Sequence, residues 1–334
     1  MAGGAYRAGE PAIACHNPGL SAVSGGPVSE QAVSLRGVSK GFAGHTAVAD
    51  LSLDIPRGSA FGLLGPNGAG KTTTLRMVLN ILGPDSGTIE ILGRPSDHAA
   101  RDRIGYMPEE RGLYPRMVVS EQLEFMAEIK GVPRAEARRR LAGWLERLGL
   151  AGWGHRKVNE LSKGMQQKAQ FIATVLHRPE VLILDEPMNG LDPVGMNLMR
   201  DVLLDLRREG TTLVLSSHQM ETVERLCDRV ALIHKGRKIL DGSVAEVKRN
   251  HGTNSLALAY EGDASFLPGL PGVTVVTDSG RLAELRLADG SDPQAVLREA
   301  AAHLRVSRFE IMEPSLHDIF VAMVGGDPEK DGPR

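Results

Sequence analysis

The sequence predicts an α/β fold: a core with an antiparallel β subdomain and a helical subdomain, followed by a small α+β domain. Three observations carry that expectation. The apolar run Ala60-Phe61-Gly62-Leu63-Leu64 enters a glycine-rich turn and then a helical pattern from Thr72 to Leu82. Val181-Leu182-Ile183-Leu184 is a continuous apolar run, the pattern of a strand buried on both faces, and it ends in Asp185 and Glu186. Two more such runs, Thr211 to Leu215 and Val230 to Ile233, alternate with helical text, as parallel sheets require.

Before the glycine-rich turn, Val33, Leu35 and Val38 begin a strand signal that Val48, Leu51, Leu53 and Ile55 continue. Gly87 to Gly93 is a short strand bounded by turn residues. These pieces form the expected antiparallel sheet. Between Tyr114 and Leu161 the text is helical: Ser120 is a candidate cap for a helix facing inward with Leu123, Met126 and Ala127. Pro133 opens another helix, with Leu141, Trp144, Leu145 and Leu148 at helical spacing. Arg138, Arg139 and Arg140 lie off that face and read as a solvated surface rather than a nucleic-acid patch. Asp192 and Pro193 start a helix with Leu198, Val202, Leu203 and Leu206 inside, stopped by Gly210.

Beyond Gly242, segments 255–260, 273–276 and 283–287 suggest strands, Pro293 to Leu304 a helix, and Phe309 with Ile311 a last strand. Ser315 and Asp318 match a capping box for a terminal helix bearing Leu316, Ile319, Phe320 and Met323. The expected organisation is a disordered leader over 1–31, a main domain over 32–242 with its helical part at about 112–165, and the α+β domain with a disordered tail over 243–334.

Composition excludes several classes. The chain has 334 residues and a net charge of −2, which gives no electrostatic reason to expect nucleic acid as a partner. Its 2 cysteines, Cys15 and Cys227, cannot build a disulfide framework, and Cys227 sits in a helical apolar pattern that places it in the core. No stretch reaches the about 18 apolar residues of a membrane span, and the first residues lack the apolar segment of a secretory signal. A soluble protein of a reducing compartment is the expectation.

The chemistry starts at Gly65-Pro66-Asn67-Gly68-Ala69-Gly70-Lys71-Thr72, whose spacing is that of a phosphate loop. Backbone N–H groups at the positive end of a helix cradle phosphates there, and glycine lets the backbone approach the anion. Lys71 belongs on the β- and γ-phosphates, and Thr72 offers its hydroxyl to a Mg²⁺ ion bridging them. Asp185, at the end of its strand, can hold that ion, and Glu186 can orient or deprotonate an attacking water. An acidic pair after a strand can equally be a helix cap, and the loop alone leaves the class of nucleoside triphosphatase open. Ser162 and Gly164, at the start of a helix running through Phe171, Ile172, Val175 and Leu176, make a second candidate anion site.

Read in order, the loop, the Ser162 segment, the acidic pair, Asn189-Gly190-Leu191-Asp192 and Ser216-Ser217-His218 resemble the nucleotide-binding domain of the ABC (ATP-binding cassette) ATPases, from about Val33 to Gly242. GPNGAGKTT, with Ala69 and Thr73, is similar to their Walker A loop, LSKGM to their signature segment and VLILDE to their Walker B strand. Gly190-Leu191-Asp192 resembles their D-loop, His218 their switch histidine, and Phe42 stands where an aromatic ring stacks on adenine. IGYMPEERGLYP from Ile104, LSKGMQQK and EPSLHDIF resemble the cassettes of ABC-2 type exporters.

The resemblance implies ATP and Mg²⁺ as cofactors. It gives Lys71, Glu186 and His218 catalytic roles, puts Thr72, Asp185 and Glu109 at the metal, and adds Ser162, Gly164 and Asp192 to the nucleotide contacts. It implies a second cassette, identical in a homodimer, and integral membrane permease subunits, with the chain cytoplasmic and peripheral on the inner face of the cell membrane. Three positions depart from the family pattern: Glu109 where glutamine is usual, Lys163 for glycine and Met165 for glutamine. A soluble ABC ATPase acting on ribosomes or DNA is the alternative, disfavoured by the single cassette, the absence of a heptad insertion and the charge balance. A binding module without hydrolysis is a third reading, against which Glu186 and His218 both stand.

Overall fold

The computed structural model describes residues 30–110, 112–251, 255–288, 290–312 and 314–324. Most of the expected leader, residues 1–29, and the tail 325–334 lie outside them. In chain order the elements are β1 (Gln31–Phe42), β2 (His45–Pro56), β3 (Ala60–Leu64), α1 (Lys71–Val78), β4 (Ser86–Ile91), β5 (Arg94–Pro95), α2 (His98–Arg101) and β6 (Ile104–Met107). There follow α3 (Val119–Ile129), α4 (Arg134–Arg147), α5 (Lys163–Val175), β7 (Val181–Asp185), α6 (Pro193–Arg208), β8 (Thr212–Ser217), α7 (Met220–Leu226), β9 (Arg229–His234) and β10 (Arg237–Ser243). The last third holds α8 (Val244–Asn250), β11 (Ser255–Glu261), β12 (Val273–Asp278), β13 (Leu282–Leu287), α9 (Pro293–His303), β14 (Arg305–Met312) and α10 (Leu316–Val324).

Three sheets result. The central one has the order β10-β9-β3-β8-β7-β6, parallel throughout except for β10. Its inner strands β3, β7 and β8 are buried along their whole length, which is why they read as unbroken apolar runs. The second sheet, β2-β1-β4-β5, is antiparallel and shares an apolar core with one face of the first through Leu35, Leu53, Phe61, Leu63 and Ile183. The other face of the central sheet packs on the helices, with Leu123, Leu148, Phe171, Leu184 and Leu203 among the buried residues. The third sheet, β12-β13-β11-β14, has its own core around Leu256, Leu258, Leu267, Leu285 and Val296.

Register positions the site. β3 lies between β8 and β9, with Leu64 opposite Ser217 and Leu232, and β7 pairs β8 with Asp185 opposite Ser216. The residues after Leu64, at Asp185 and after Ser217 therefore emerge together at the carboxyl ends of adjacent parallel strands.

Two expectations change. Helix α3 starts at Val119, with Val118 at the cap position and no side-chain cap, so Ser120 lies inside the first turn rather than capping it. The Val119 and Ser120 N–H groups donate to the Arg156 and Gly154 carbonyls, each at 2.9 Å, so a loop far along the chain satisfies the helix start instead. Gln31, the last residue assigned to the leader, is the first of β1. The capping box at the last helix is present: Ser315 N donates to Asp318 Oδ2 and Asp318 N to Ser315 Oγ, both at 3.1 Å.

That last helix turns back onto the main unit. Leu316 and Ile319 join the core of the central sheet's helical side, Phe320 meets the His234 ring edge-on at 6.3 Å, and the Leu316 N–H reaches Glu224 Oε2 at 3.4 Å. Glu224 also pairs with Lys248 of α8.

Cys227 is buried beneath β3, and a Cβ built on Gly62 would stand 3.3 Å from its Sγ. Burial pushes its thiol far above the ordinary value. Since the thiolate is the nucleophile, alkylation at mildly alkaline pH should spare Cys227 in the native protein and modify it fully in denaturant, as read by peptide mass mapping.

Candidate nucleotide site

The phosphate loop leaves β3 and closes on α1, whose first turn-to-turn hydrogen bond runs from the Thr74 N–H to the Gly70 carbonyl at 2.9 Å. The N–H groups of Lys71, Thr72 and Thr73 precede that ladder and point out of the helix start, as an anion site needs. Gly70 has φ +105°, and a Cβ there would stand 2.4 Å from the Ala47 carbonyl oxygen. Only glycine fits, and the close approach seats the loop against β2.

Lys71 is 6% exposed, and its Nζ donates to the Gly65 carbonyl at 2.7 Å and the Pro66 carbonyl at 3.0 Å. Burial lowers its pKa, while the carboxylates of Glu186, Asp185 and Glu109 act to raise it. The loop therefore wraps an ammonium held by its own carbonyls, and its backbone N–H groups with that positive charge make a cradle for polyanionic phosphate.

Asp185 is 1% exposed and accepts from two hydroxyls: Thr72 Oγ1 at 3.0 Å, and Ser216 Oγ. A carboxylate and a threonine hydroxyl brought together this way form an oxygen donor set suited to a small hard cation such as Mg²⁺. Glu109, by contrast, is exposed, and the structure ties it to the set only through its field on Lys71.

Glu186 is 5% exposed and stands in the left-handed region with φ +49°, a conformation that costs a non-glycine residue on the order of 1–3 kcal/mol. Three contacts hold it there. Oε1 accepts from the His218 N–H at 2.9 Å and lies 2.7 Å from His218 Nδ1, and Oε2 accepts from Ser217 Oγ at 3.2 Å. Strain compensated by a dedicated polar network marks a carboxylate whose direction matters more than its comfort.

The remaining residues occupy the periphery. Phe42 is 47% exposed at the β1 end of the β1–β2 hairpin, with the Lys40 ammonium 5.8 Å from its ring centroid. Ser162 caps α5, accepting from the Met165 N–H at 3.3 Å, and is exposed. A Cβ on Gly164 would stand 3.1 Å from the Gly190 carbonyl oxygen, so the start of α5 packs on the 189–192 turn. Asp192 caps α6 by accepting from the Gly195 N–H at 2.8 Å. The structure thus gathers Lys71, Thr72, Asp185, Glu186 and His218, and sets Ser162 and Gly164 against Gly190. No hydrogen bond among the described residues joins Ser162 or Gly164 to residues 65–73. Sequence reasoning left Ser216 and Ser217 without roles, although the two hydroxyls sit directly before His218 at the end of a buried strand.

Comparison with known proteins places this arrangement. Residues 48–189 match the ABC transporter family model, and residues 242–324 match the model described as the C-terminal domain of DrrA1-3-like ATP-binding proteins. An uncharacterized ABC transporter ATP-binding protein of Bacillus subtilis, YhaQ, is 43% identical over 288 residues, 86% of this chain and 97% of its own length. The chain belongs to the ABC transporter ATP-binding proteins. The Nod factor export ATP-binding protein I of Ralstonia nicotianae is 36% identical, covering 88% of this chain and 94% of its own. The daunorubicin/doxorubicin resistance ATP-binding protein DrrA of Streptomyces peucetius is 33% identical, with 88% and 93% covered. Among solved structures, an ATP-binding subunit of an ABC transporter superposes with a TM-score of 0.61 at 30% identity, over 65% of this chain and 92% of that one. As an ABC cassette the chain is a P-loop ATPase whose work is coupled to transport, and the reading of a ribosome- or DNA-directed ATPase gives way to it. No helix of the described residues is long and apolar enough to cross a membrane.

Because Ser217 contributes one of three contacts to Glu186, Ser217→Ala should slow ATP turnover by about tenfold, the worth of one hydrogen bond to a charged group. ATP affinity, measured by equilibrium binding of a fluorescent analogue, should be unchanged.

Proposed function

We propose that this cassette powers an ABC-2 type exporter as one of two identical copies that close head to tail around ATP. The observation that carries the reading is the division of the site. Lys71, Thr72, Asp185, Glu186 and His218 gather at one set of strand ends, while the capped, exposed helix start at Ser162 and Gly164 is packed on Gly190. Each cassette then holds half of two sites. A partner's helix start supplies the missing N–H groups to the γ-phosphate, so ATP binds the closed pair better than the open one and drives closure.

In this reading Gly65, Pro66, Asn67, Gly68, Ala69, Gly70, Thr73 and Lys71 hold the phosphates, Phe42 stacks on the base, and Asp192 fixes the turn facing the partner. Thr72 and Asp185 would hold Mg²⁺, with Glu109 as a further carboxylate for it, and the ion would supply positive charge to the phosphates. Glu186 accepts the proton of the attacking water, and His218 keeps that carboxylate aimed. Hydrolysis removes the adhesive and the pair opens.

The stroke needs a membrane partner, and a groove of about 360 Å³ offers a place for one. It runs between the segment that follows α1, strand β6 and the helices α3 and α5, lined by Leu79, Ile81, Tyr106, Leu113, Met126 and Ile129, of which Ile81 and Ile129 are 59% and 65% exposed. An intracellular segment of a permease subunit docked there would press on the Pro108–Glu110 turn that follows β6. That docking would hold the cassette on the inner face of the cell membrane. Export rather than import rests on the relatives named for export and resistance. We assign 32–242, extended by Gln31 of β1, to the cassette and 243–334 to the appended domain.

Glu186→Gln should bind MgATP without turning it over and, in size-exclusion chromatography with light scattering, convert from monomer to dimer on its addition. A variant that binds nucleotide and stays monomeric overturns the identical-pair reading. Glu109→Gln should keep measurable hydrolysis well above that of Glu186→Gln in a phosphate-release assay.

A further inference from the structure

Two buried amides on one face of α5 hold the backbone beside both outer acids of the site. Gln167 Nε2 donates to the Pro187 carbonyl at 3.2 Å, one residue past Glu186. Gln170 Nε2, three positions on and so on the same helix face, donates to the Pro108 carbonyl at 2.9 Å and the Glu110 carbonyl at 3.2 Å. Those two carbonyls flank Glu109. One side chain thus clasps the turn that carries Glu109 from both sides.

Gln170 is 4% exposed, and its Oε1 has no hydrogen-bond partner among the described residues. A methionine would fill much the same space without burying an unused acceptor, so packing alone does not account for an amide here. What the amide adds is its grip on the two carbonyls. The same helix begins at Ser162, and Gln170 and Pro108 both line the groove described above.

We propose that Gln170 is a positioning residue of the ATPase site: it fixes Glu109 relative to the helix that starts at Ser162, so that the groove, the Glu109 carboxylate and Ser162 move as one body. The inference deepens the ATPase reading and rests on it. Without the clasp, the Glu109 carboxylate loses its fixed position in the field around Lys71, and its negative charge then repels the triphosphate from an uncontrolled direction. A neutral side chain at 109 would not carry that penalty.

The test is a double-mutant cycle in the full chain between Gln170→Met and Glu109→Gln. Gln170→Met should lower kcat/KM for MgATP about tenfold in the parent and less than about twofold in the Glu109→Gln background. Equal losses in both backgrounds would mean that Gln170 serves the fold alone, and would overturn the proposal. No loss in the parent would do the same. Gln170→Leu, apolar and smaller, also removes the donor and should reproduce the pattern if the methionine variant folds poorly. Hydrogen exchange gives a readout independent of turnover: Gln170→Met should accelerate exchange in residues 104–110 while 163–175 stay protected. Unchanged exchange in 104–110 overturns the clasp even if the parent hydrolyses nothing, whereas an inactive parent with accelerated exchange counts against the ATPase reading and leaves the clasp standing.

Discussion

The interaction on which the rest depends is the burial of two adjacent carboxylates, Asp185 and Glu186, at the end of β7. Desolvating ionised groups is expensive unless each is given hydrogen bonds and nearby positive charge. The fold supplies both from neighbouring strands: Thr72 and Ser216 to the first acid, Ser217 and His218 to the second, with the Lys71 ammonium opposite. Since these donors lie after β3 and at the end of β8, the pair can be satisfied only when three parallel strands are in register. The acidic pair with its donors and the central sheet are therefore one constraint.

Much of this was legible in the sequence because it rests on local patterns. Buried parallel strands leave unbroken apolar runs, and the phosphate loop has a spacing that its backbone geometry requires. The parts that were not legible depend on distant partners. Ser120 looked like a cap because its residue type favours that role, but carbonyls of the 154–156 loop took the helix start. Nothing in the residue types of Gln167 and Gln170 assigns them a role, and only the fold reveals that they point inward at backbone carbonyls. Ser216 and Ser217 carried no role of their own, since nothing local says that two carboxylates face them.

The departures from the family pattern gain meaning in this setting. Glu109 adds a third carboxylate to the field around Lys71, which must then answer three acids instead of two. Lys163 sits at the exposed start of α5, where its positive charge extends the helix dipole toward whatever anion meets that face. The extra negative charge thus lies on the turn after β6, within the field felt by Lys71, and the extra positive charge lies on the exposed start of α5.

The terminal helix α10 gives the appended domain an unusual attachment. The chain leaves the cassette at α8 and returns to it at α10, with Glu224 of α7 pairing the first through Lys248 and accepting from the backbone of the second. The appended sheet is thus a loop pinned at both ends rather than a bead on a string. A body held at two points can tilt about the line joining them but cannot swing away. That line passes over α7, the helix immediately downstream of His218, so a load applied to the appended sheet would arrive at His218 and its Glu186 partner as torque.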